Sequence, residues 1–160
     1  MRRRLLACAA IAAAVLVTTA LPARADRGTM SGVVYAGPCA TSYDIATEAF
    51  VCRGAGVWLG FFNGPATFAA KGTVGVVSGD ARGTITYRFR GQTPFGYGEL
   101  TLSGPFTIEG ATGETKASVT VRSGTGALTK MSGQMTITGI SPVTGGPSNG
   151  NYEGRWETRP

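Results

Sequence analysis

Apolar and polar side chains alternate one by one along successive segments of this chain, and this period of two constrains the fold more than any other feature. In segment 84–90 the apolar residues are Ile85, Tyr87 and Phe89, and every residue between or beside them is Thr or Arg. Successive side chains of a β-strand point to opposite faces, so the pattern predicts a strand with one buried face. Similar alternation at 99–109, 116–122, 131–138 and 152–157 brings the number of predicted half-buried strands to five.

Weaker patterns predict three more strands, near 30–36, 57–62 and 66–77, the last of them bent at Gly72. Turn-forming sequences separate these segments, and we interpret the 25 glycines of the chain as residues of turns and bulges. Gly104 and Pro105 predict a bulge or bend within the strand that contains them. Segment 38–52 is the least strand-like part, and we expect a loop there with a short helical turn around 45–50.

About eight antiparallel strands with short connections predict an all-β domain over residues 26–160. An up-and-down β-barrel is the favoured architecture, because closure removes the exposed edges that an open sheet must protect. A two-sheet β-sandwich is the alternative.

The N-terminus predicts export from the cell. Arg2, Arg3 and Arg4 precede an uncharged apolar run at 5–21, and Ala23 and Ala25 are the small residues that a signal peptidase requires. Residues 1–25 are therefore predicted to be a signal peptide cleaved after Ala25, which makes the protein secreted. An uncleaved anchor is the alternative. Since no second hydrophobic stretch follows, we expect no stable membrane insertion after cleavage.

The charge balance changes when the leader is removed. The chain has 15 basic and 9 acidic side chains, and residues 1–25 contain four arginines and no acid, which leaves 11 against 9. A nearly neutral domain lacks the electrostatic footprint of a nucleic-acid-binding protein. We therefore expect no nucleic-acid partner.

Two cysteines, Cys39 and Cys52, remain after the leader. An oxidising compartment favours a disulfide between them. The alternative, a pair of reactive thiols or half of a metal site, lacks any histidine in the chain to support it.

The absence of histidine also excludes a Ser-His-Asp triad, a Cys-His pair and histidine-ligated zinc. Glu153 and Glu157 share a strand face, but four residues separate them by roughly 13 Å, too far for a glycosidase pair. No catalytic constellation, metal site or cofactor motif is recognisable. The sequence therefore favours a protein that is not an enzyme, without settling the question.

Aromatic residues are the one class that indicates a binding site. Five of them have the parity of the buried face, and we predict that they bind a ligand: Trp58, Tyr87, Phe89, Tyr152 and Trp156. The alternative is that they only fill the core of a small barrel.

The C-terminal part resembles a known family. The segments 123–128 (SGTGAL), 132–135 (SGQM) and 150–156 (GNYEGRW) are similar to the end of the allene oxide cyclase and dirigent-like, or calycin-like, β-barrels. Those proteins have a Gly-Thr-Gly turn, a strand that begins with glycine, and a last strand of the form Gly-x-Tyr-x-Gly. The resemblance implies an eight-stranded barrel whose interior binds small, mostly apolar molecules. In the plant members, that interior steers a reactive intermediate toward one stereochemical product.

Three functions follow as hypotheses. The first is a secreted, non-catalytic binding module for a small apolar molecule or a partner protein. The second is a dirigent- or cyclase-like isomerase that uses tyrosine hydroxyls or a buried carboxylate and no cofactor. The third is an envelope-associated or inhibitory interaction protein that presents the loops at 39–52 and 142–150.

Overall fold

Nine β-strands form the part of the chain that the computed structural model describes, residues 26–142 and 146–159. They are β1 (Arg27–Ala36), β2 (Ala40–Asp44), β3 (Ala49–Gly60), β4 (Gly64–Val74), β5 (Ala81–Thr93), β6 (Gly96–Ile108), β7 (Glu114–Gly126), β8 (Met131–Ile140) and β9 (Ser148–Thr158). These ranges contain no helix, and hence none that is long and apolar enough to span a membrane. The predicted signal peptide, 1–25, lies outside the described residues.

The strands close into an antiparallel barrel. From β3 to β9 each strand pairs with the next along the chain, and β9 pairs with β1 over its length. Residues Gly32–Ala36 of β1 then pair with Gly56–Gly60 of β3, which completes a ring of eight strands. The barrel prediction is confirmed, and the sandwich alternative is wrong.

The ninth strand, β2, pairs with the part of β3 that extends beyond the end of β1. The pair Ala36 and Gly56 ends the contact of β1 with β3, and the pair Ala40 and Arg53 starts that of β2. The residues between Ala36 and Ala40 form a bulge where the disulfide Cys39–Cys52 joins the two sides, with Cα atoms 5.6 Å apart. The predicted disulfide is confirmed.

The predicted loop with a helical turn at 38–52 is wrong. The chain forms a hairpin of β2 and β3 instead, and only residues 45–48 are a turn. Asp44 stabilises this turn, because its carboxylate accepts hydrogen bonds from the Ala46 amide at 3.0 Å and the Thr47 hydroxyl at 2.9 Å. Glu48 has a φ of 54°, which reverses the chain into β3.

Two smaller predictions about strand regularity also need correction. The register between β6 and β7 shifts at Thr101 and Leu102, where Arg122 is the extra residue of β7, and not at Gly104–Pro105. Pro105 keeps its place in the pairing with β5. Strand β4 ends at Val74, so that the valines at 76 and 77 lie exposed in the following turn.

The alternation predicted from the sequence gives the barrel its core. Ile85, Tyr87 and Phe89 point inward on β5, whereas Arg88 and Arg90 are not buried. On β3, Val57 and Leu59 point outward and are 44% and 41% exposed. Trp58, between them, points into the interior and is only 1% exposed. An eight-stranded barrel has an interior that side chains can just fill, or that can hold one small ligand.

Candidate ligand-binding site

One half of the barrel is filled by aromatic side chains. Trp58 lies at the centre, with ring centroids 5.4 Å from Phe62 and 5.2 Å from Tyr152, and Phe62 lies 5.0 Å from Phe89. The Tyr152 hydroxyl accepts a hydrogen bond from the Phe62 amide at 2.9 Å and donates to the Leu59 carbonyl at 3.2 Å. This half is therefore packed, and the hydroxyl of Tyr152 within it has two backbone partners.

A second aromatic layer closes the barrel beyond Phe62. Phe95 packs edge to face against Trp156 at 4.5 Å, and Phe61 lies 6.2 Å from the same indole. The Trp156 ring lies over Gly28, where a larger residue would collide with it, and its Nε1 donates to the Thr29 carbonyl at 3.1 Å. We call this half of the barrel, with both layers, the closed end.

At the opposite end the inward residues are small, and space remains between the strands. Ala70, Ala81 and Ala117 point inward from β4, β5 and β7. A cavity of about 260 Å³ lies there, which we call the mouth cavity. Its larger apolar wall residues are Phe50, Phe68, Val74, Ile85, Phe106 and Ile108. The disulfide Cys39–Cys52 forms part of the wall on the side of β2 and β3.

Tyr87 lines the mouth cavity at the border with the closed end. Its ring packs edge to face on Trp58 at 5.3 Å, and only 9% of the residue is exposed. None of the hydrogen bonds among the described residues involves its hydroxyl, although every fully inaccessible polar side-chain atom there has a partner. The hydroxyl is therefore not completely inaccessible, and Tyr87 is one of the residues that line the cavity.

Burial raises the pKa of the Tyr87 hydroxyl far above its usual range. The hydroxyl is thus protonated at any physiological pH, and it can donate a hydrogen bond to a molecule in the cavity. Tyr152 differs, because two backbone partners already use its hydroxyl, and burial raises its pKa as well.

Other described residues that line the cavity also carry hydroxyl groups. They are Thr41, Tyr43, Thr115, Ser141 and Ser148. Thr115 already donates to the Gly113 carbonyl at 3.2 Å. No charged residue is among the described residues that line the cavity. Across the described ranges, no cluster of three or more Cys, Asp or Glu side chains could hold a metal ion.

The structure places the five aromatic residues of the sequence prediction in three environments. Trp58, Phe89 and Tyr152 lie together in the packed core, and Trp156 lies partly buried at the closed end. Tyr87 alone among them lines the mouth cavity. Ligand contact by all five residues stays a prediction.

Sequence reasoning missed the residues that make the cavity. The sequence predicts a helical turn at Phe50, and for the strand that contains Phe68 it does not indicate which residues face inward. Of the three alanines, only Ala117 is marked as inward by the alternation in the sequence. A signal was present: small residues occupy inward positions at the same end of three strands.

The fold and the cavity together define a structural class. It is the small antiparallel β-barrel whose ring of strands is complete and whose interior is accessible from one end. The solved structure of the pterocarpan synthase dirigent protein GePTS1 has this fold, with a TM-score of 0.54 and 11% sequence identity over 96% of this chain and 98% of that one. At this identity the likeness shows the fold alone. It confirms the dirigent-like barrel that the C-terminal resemblance implied, and the allene oxide cyclase part of that resemblance stays a prediction. No family model and no curated protein matches the sequence.

Proposed function

We propose that this protein is a secreted, non-catalytic barrel that binds a small apolar molecule in the mouth cavity. The observation that carries the proposal is a largely apolar cavity lined by Tyr87, whose hydroxyl has no hydrogen-bond partner among the described residues. Ligand sites typically combine apolar walls with a few polar groups that orient the bound molecule. The disulfide is compatible with an oxidising, extracellular location.

The size of the cavity limits the size of the ligand. Drug-sized ligands occupy pockets of about 300 to 1,000 Å³, and an apolar cavity of about 150 Å³ is large enough for benzene. At about 260 Å³, the mouth cavity fits a single ring with a short substituent. The adjoining Phe50, Phe68 and Phe106 offer ring edges and faces for such a ligand.

The proposal is tested by fluorescence, since Trp58 packs on Tyr87 and the chain has only one other tryptophan. In a Trp156→Phe variant, Trp58 is the sole indole, and single-ring compounds should change its emission in a saturable way. The melting temperature should rise with ligand concentration, because binding to the folded state stabilises it. No change in emission or melting temperature across a broad panel of such compounds would exclude this function.

A dirigent- or cyclase-like isomerase is the second candidate, and the Tyr87 hydroxyl is the observation in its favour. A protonated hydroxyl in an apolar cavity can hold a carbonyl or ether oxygen of a reactive substrate and fix its orientation. No carboxylate lines the cavity among the described residues, so tyrosine is the residue on which this function depends. A change in product stereochemistry that the protein causes and Tyr87→Phe abolishes would support it over simple binding.

An interaction protein is the third candidate. Tyr43 and Ile45, at the tip of the β2–β3 hairpin, are 42% and 77% exposed, and they present apolar surface within the disulfide loop. A partner that binds there should lose affinity in a Tyr43→Ser, Ile45→Ser variant, whereas an outward substitution such as Thr67→Ser should have no effect. Equal retention of the partner by both variants counts against this function.

Secretion itself is tested by the mature N-terminus. If the proposal is correct, the exported protein begins at Asp26, as measured by mass spectrometry of the culture medium. A protein that retains residues 1–25 in the membrane fraction would instead support the uncleaved anchor.

A further inference from the structure

The strand β2 has one edge that no other strand covers in the described part of the chain. It stands last in the order of paired strands, and β3 is the strand with which it pairs. Its five residues are all exposed, and no backbone hydrogen bond among the described residues joins them to a turn or loop. Because alternate residues of an edge strand direct their N–H and C=O groups away from the paired side, this edge leaves backbone groups unpaired.

The gap beside this edge has the position of a strand. In the ring, β9 lies on the far side of β1 from β3, and the pairing of β9 with β1 ends at Ala36 and Ser148, where β9 begins. Strand β2 continues beside β3 from Ala40 onward, but no described strand continues beside β2. The described residues 141–142 and 146–147, which precede β9, form no strand. An added strand would therefore occupy the place that β9 leaves open.

The mouth cavity lies against the same strand. Thr41 and Tyr43 of β2 line the cavity, and Ser148 at the start of β9 lines it as well. Thr41 and Tyr43 are two residues apart and so lie on the same face of β2. In paired strands, side chains directly opposite one another lie on the same face of the sheet. The side chains of an added strand that stand opposite Thr41 and Tyr43 would therefore point toward the cavity.

Strand β2 carries little that would repel another strand. Natural edge strands are often protected by lysine, proline or inward-pointing charges. β2 contains neither lysine nor proline, and its charged residue, Asp44, lies at its end. The Asp44 carboxylate is engaged with the following turn through the Ala46 amide and the Thr47 hydroxyl. The edge of β2 is therefore open to pairing with an extended chain.

We propose that the mouth cavity receives an aromatic side chain of an extended peptide from another protein, which adds to β2 as a strand. Peptides bind other exposed sheet edges in this way, because main-chain hydrogen bonds provide affinity and pockets for alternate side chains provide specificity. At about 260 Å³ the cavity has room for one ring, and its walls include Phe50, Phe68 and Phe106. A second copy of this chain fits less well, because its β2 would present Thr41 and Tyr43, which already line their own cavity.

This inference rests on the proposed function and adds a backbone to the apolar ring in the cavity. Three probes test the two separately by calorimetric titration. They are toluene, the acetylated and amidated peptide Ser-Ala-Thr-Phe-Thr-Ala-Ser, and the same peptide with alanine in place of phenylalanine. The phenylalanine peptide should bind about tenfold more tightly than toluene, because it adds main-chain hydrogen bonds. It should also bind about tenfold more tightly than the alanine peptide, which has no ring to bury.

Two N-methylated forms of the phenylalanine peptide test the strand pairing. Alternate residues of a strand direct their N–H groups to opposite edges, so methyl groups on both threonines block one edge and methyl groups on both alanines block the other. One form should bind about tenfold more weakly than the parent peptide, and the other should bind about as tightly. The β2 amides at the open edge should also exchange more slowly in the peptide complex, whereas toluene should leave their exchange unchanged.

The outcomes separate the two proposals. If neither toluene nor the phenylalanine peptide binds, the proposed function fails and this inference fails with it. If toluene binds at least as tightly as the phenylalanine peptide, or if the two methylated forms bind equally, only the strand addition is overturned. Binding of the peptide without binding of toluene supports the strand addition and limits the proposed function to rings that a peptide carries.

Amide exchange of the free protein tests the other occupants of the edge. Protection of the β2 amides that increases with protein concentration would assign the edge to a second copy and overturn the inference. Protection of the amides at the open edge in the free monomer would overturn it as well, because the chain itself would then cover that edge.

Discussion

The ring of Trp58 meets the ring of Tyr87 edge to face, with centroids 5.3 Å apart, at the border between the packed and the open half of the barrel. Trp58 is buried among the aromatic residues of the closed end, and Tyr87 faces the mouth cavity. The pair therefore connects the stable core of the fold with its candidate site. Because the two rings are in contact, we expect a ligand bound beside Tyr87 to change the fluorescence of Trp58.

Replacing Tyr87 by phenylalanine should separate stability from binding. The ring keeps its packing on Trp58, and the lost hydroxyl has no partner among the residues that the structure describes, so the free energy of unfolding should change by less than about 1 kcal/mol. A ligand with an accepting oxygen should bind about 3 to 10 times more weakly, as expected for one hydrogen bond. Urea denaturation and calorimetric titration measure the two quantities. A large loss of stability would show that the hydroxyl has a structural role.

Tyr152→Phe is the matched variant with the opposite expectation. It removes the acceptor of the buried Phe62 amide and the donor to the Leu59 carbonyl. A buried donor left without a partner costs about 1 to 3 kcal/mol, so the urea midpoint should fall clearly. Ligand affinity at the mouth cavity should stay the same, because Tyr152 does not line it. Unchanged stability would contradict the assigned hydrogen bonds.

Filling the cavity should abolish binding without unfolding the barrel. Ala70 points into the cavity, and leucine at this position would occupy part of its 260 Å³. We expect at least a tenfold loss of affinity and a change in stability of about 1 kcal/mol or less, because the added methyl groups enter existing space. Ala69→Leu is the control, since the neighbouring residue faces outward. Equal affinities of the two variants in calorimetric titration would place the ligand elsewhere.

The barrel could be predicted from the sequence because apolar and polar residues alternate along each strand according to which side chains are buried. On β5, each apolar residue from Ile85 to Phe89 points inward, as its parity required. A sheet with one buried and one solvated face favours such a period in its strands. The disulfide was predictable for a different reason, because only two cysteines follow the predicted signal peptide.

The hairpin and the cavity could not be predicted in the same way. All five residues of β2 are exposed, so no apolar alternation marks the strand. It forms because β3 offers its free edge beyond the end of β1 and the disulfide holds the two segments together. The cavity depends on the register that brings alanines of β4, β5 and β7 to one end, and register is a property of the assembled sheet.

Removing the disulfide should loosen the mouth of the barrel. The bond closes a loop with a sequence separation of 13, for which the chain-entropy model gives about 3 kcal/mol of stability. A Cys39→Ser, Cys52→Ser variant should lose a comparable free energy of unfolding. It should also bind ligand more weakly, because β2 supplies Thr41 and Tyr43 to the opening. A reducing agent should reproduce the effect in the wild-type protein and have no further effect on the variant.

Acid should release a contact between two loops of the mouth. The Asp80 carboxylate accepts a hydrogen bond from the Gly110 amide, at 2.9 Å and 30 residues away, and this bond, with one from Ser78, lowers the pKa of Asp80 below its ordinary value of 3.8. A lowered pKa means that the charged form favours folding. Its contribution is fully present above the unfolded pKa, near 3.8, and is lost as the pH falls through the folded value.

The Gly110 amide reports this transition directly. Its proton chemical shift should stay constant from neutral pH down to about 4 and move only at lower pH, where Asp80 becomes protonated. Asp80→Ala should speed hydrogen exchange of that amide at every pH, because the acceptor is gone. Asp44→Ala is the control, since the hydrogen bonds of Asp44 stay within the β2–β3 turn and its pKa is also lowered, chiefly by the Thr47 hydroxyl. A Gly110 signal that moves well above pH 4, or that responds equally to both substitutions, would show that Asp80 does not hold the two loops together.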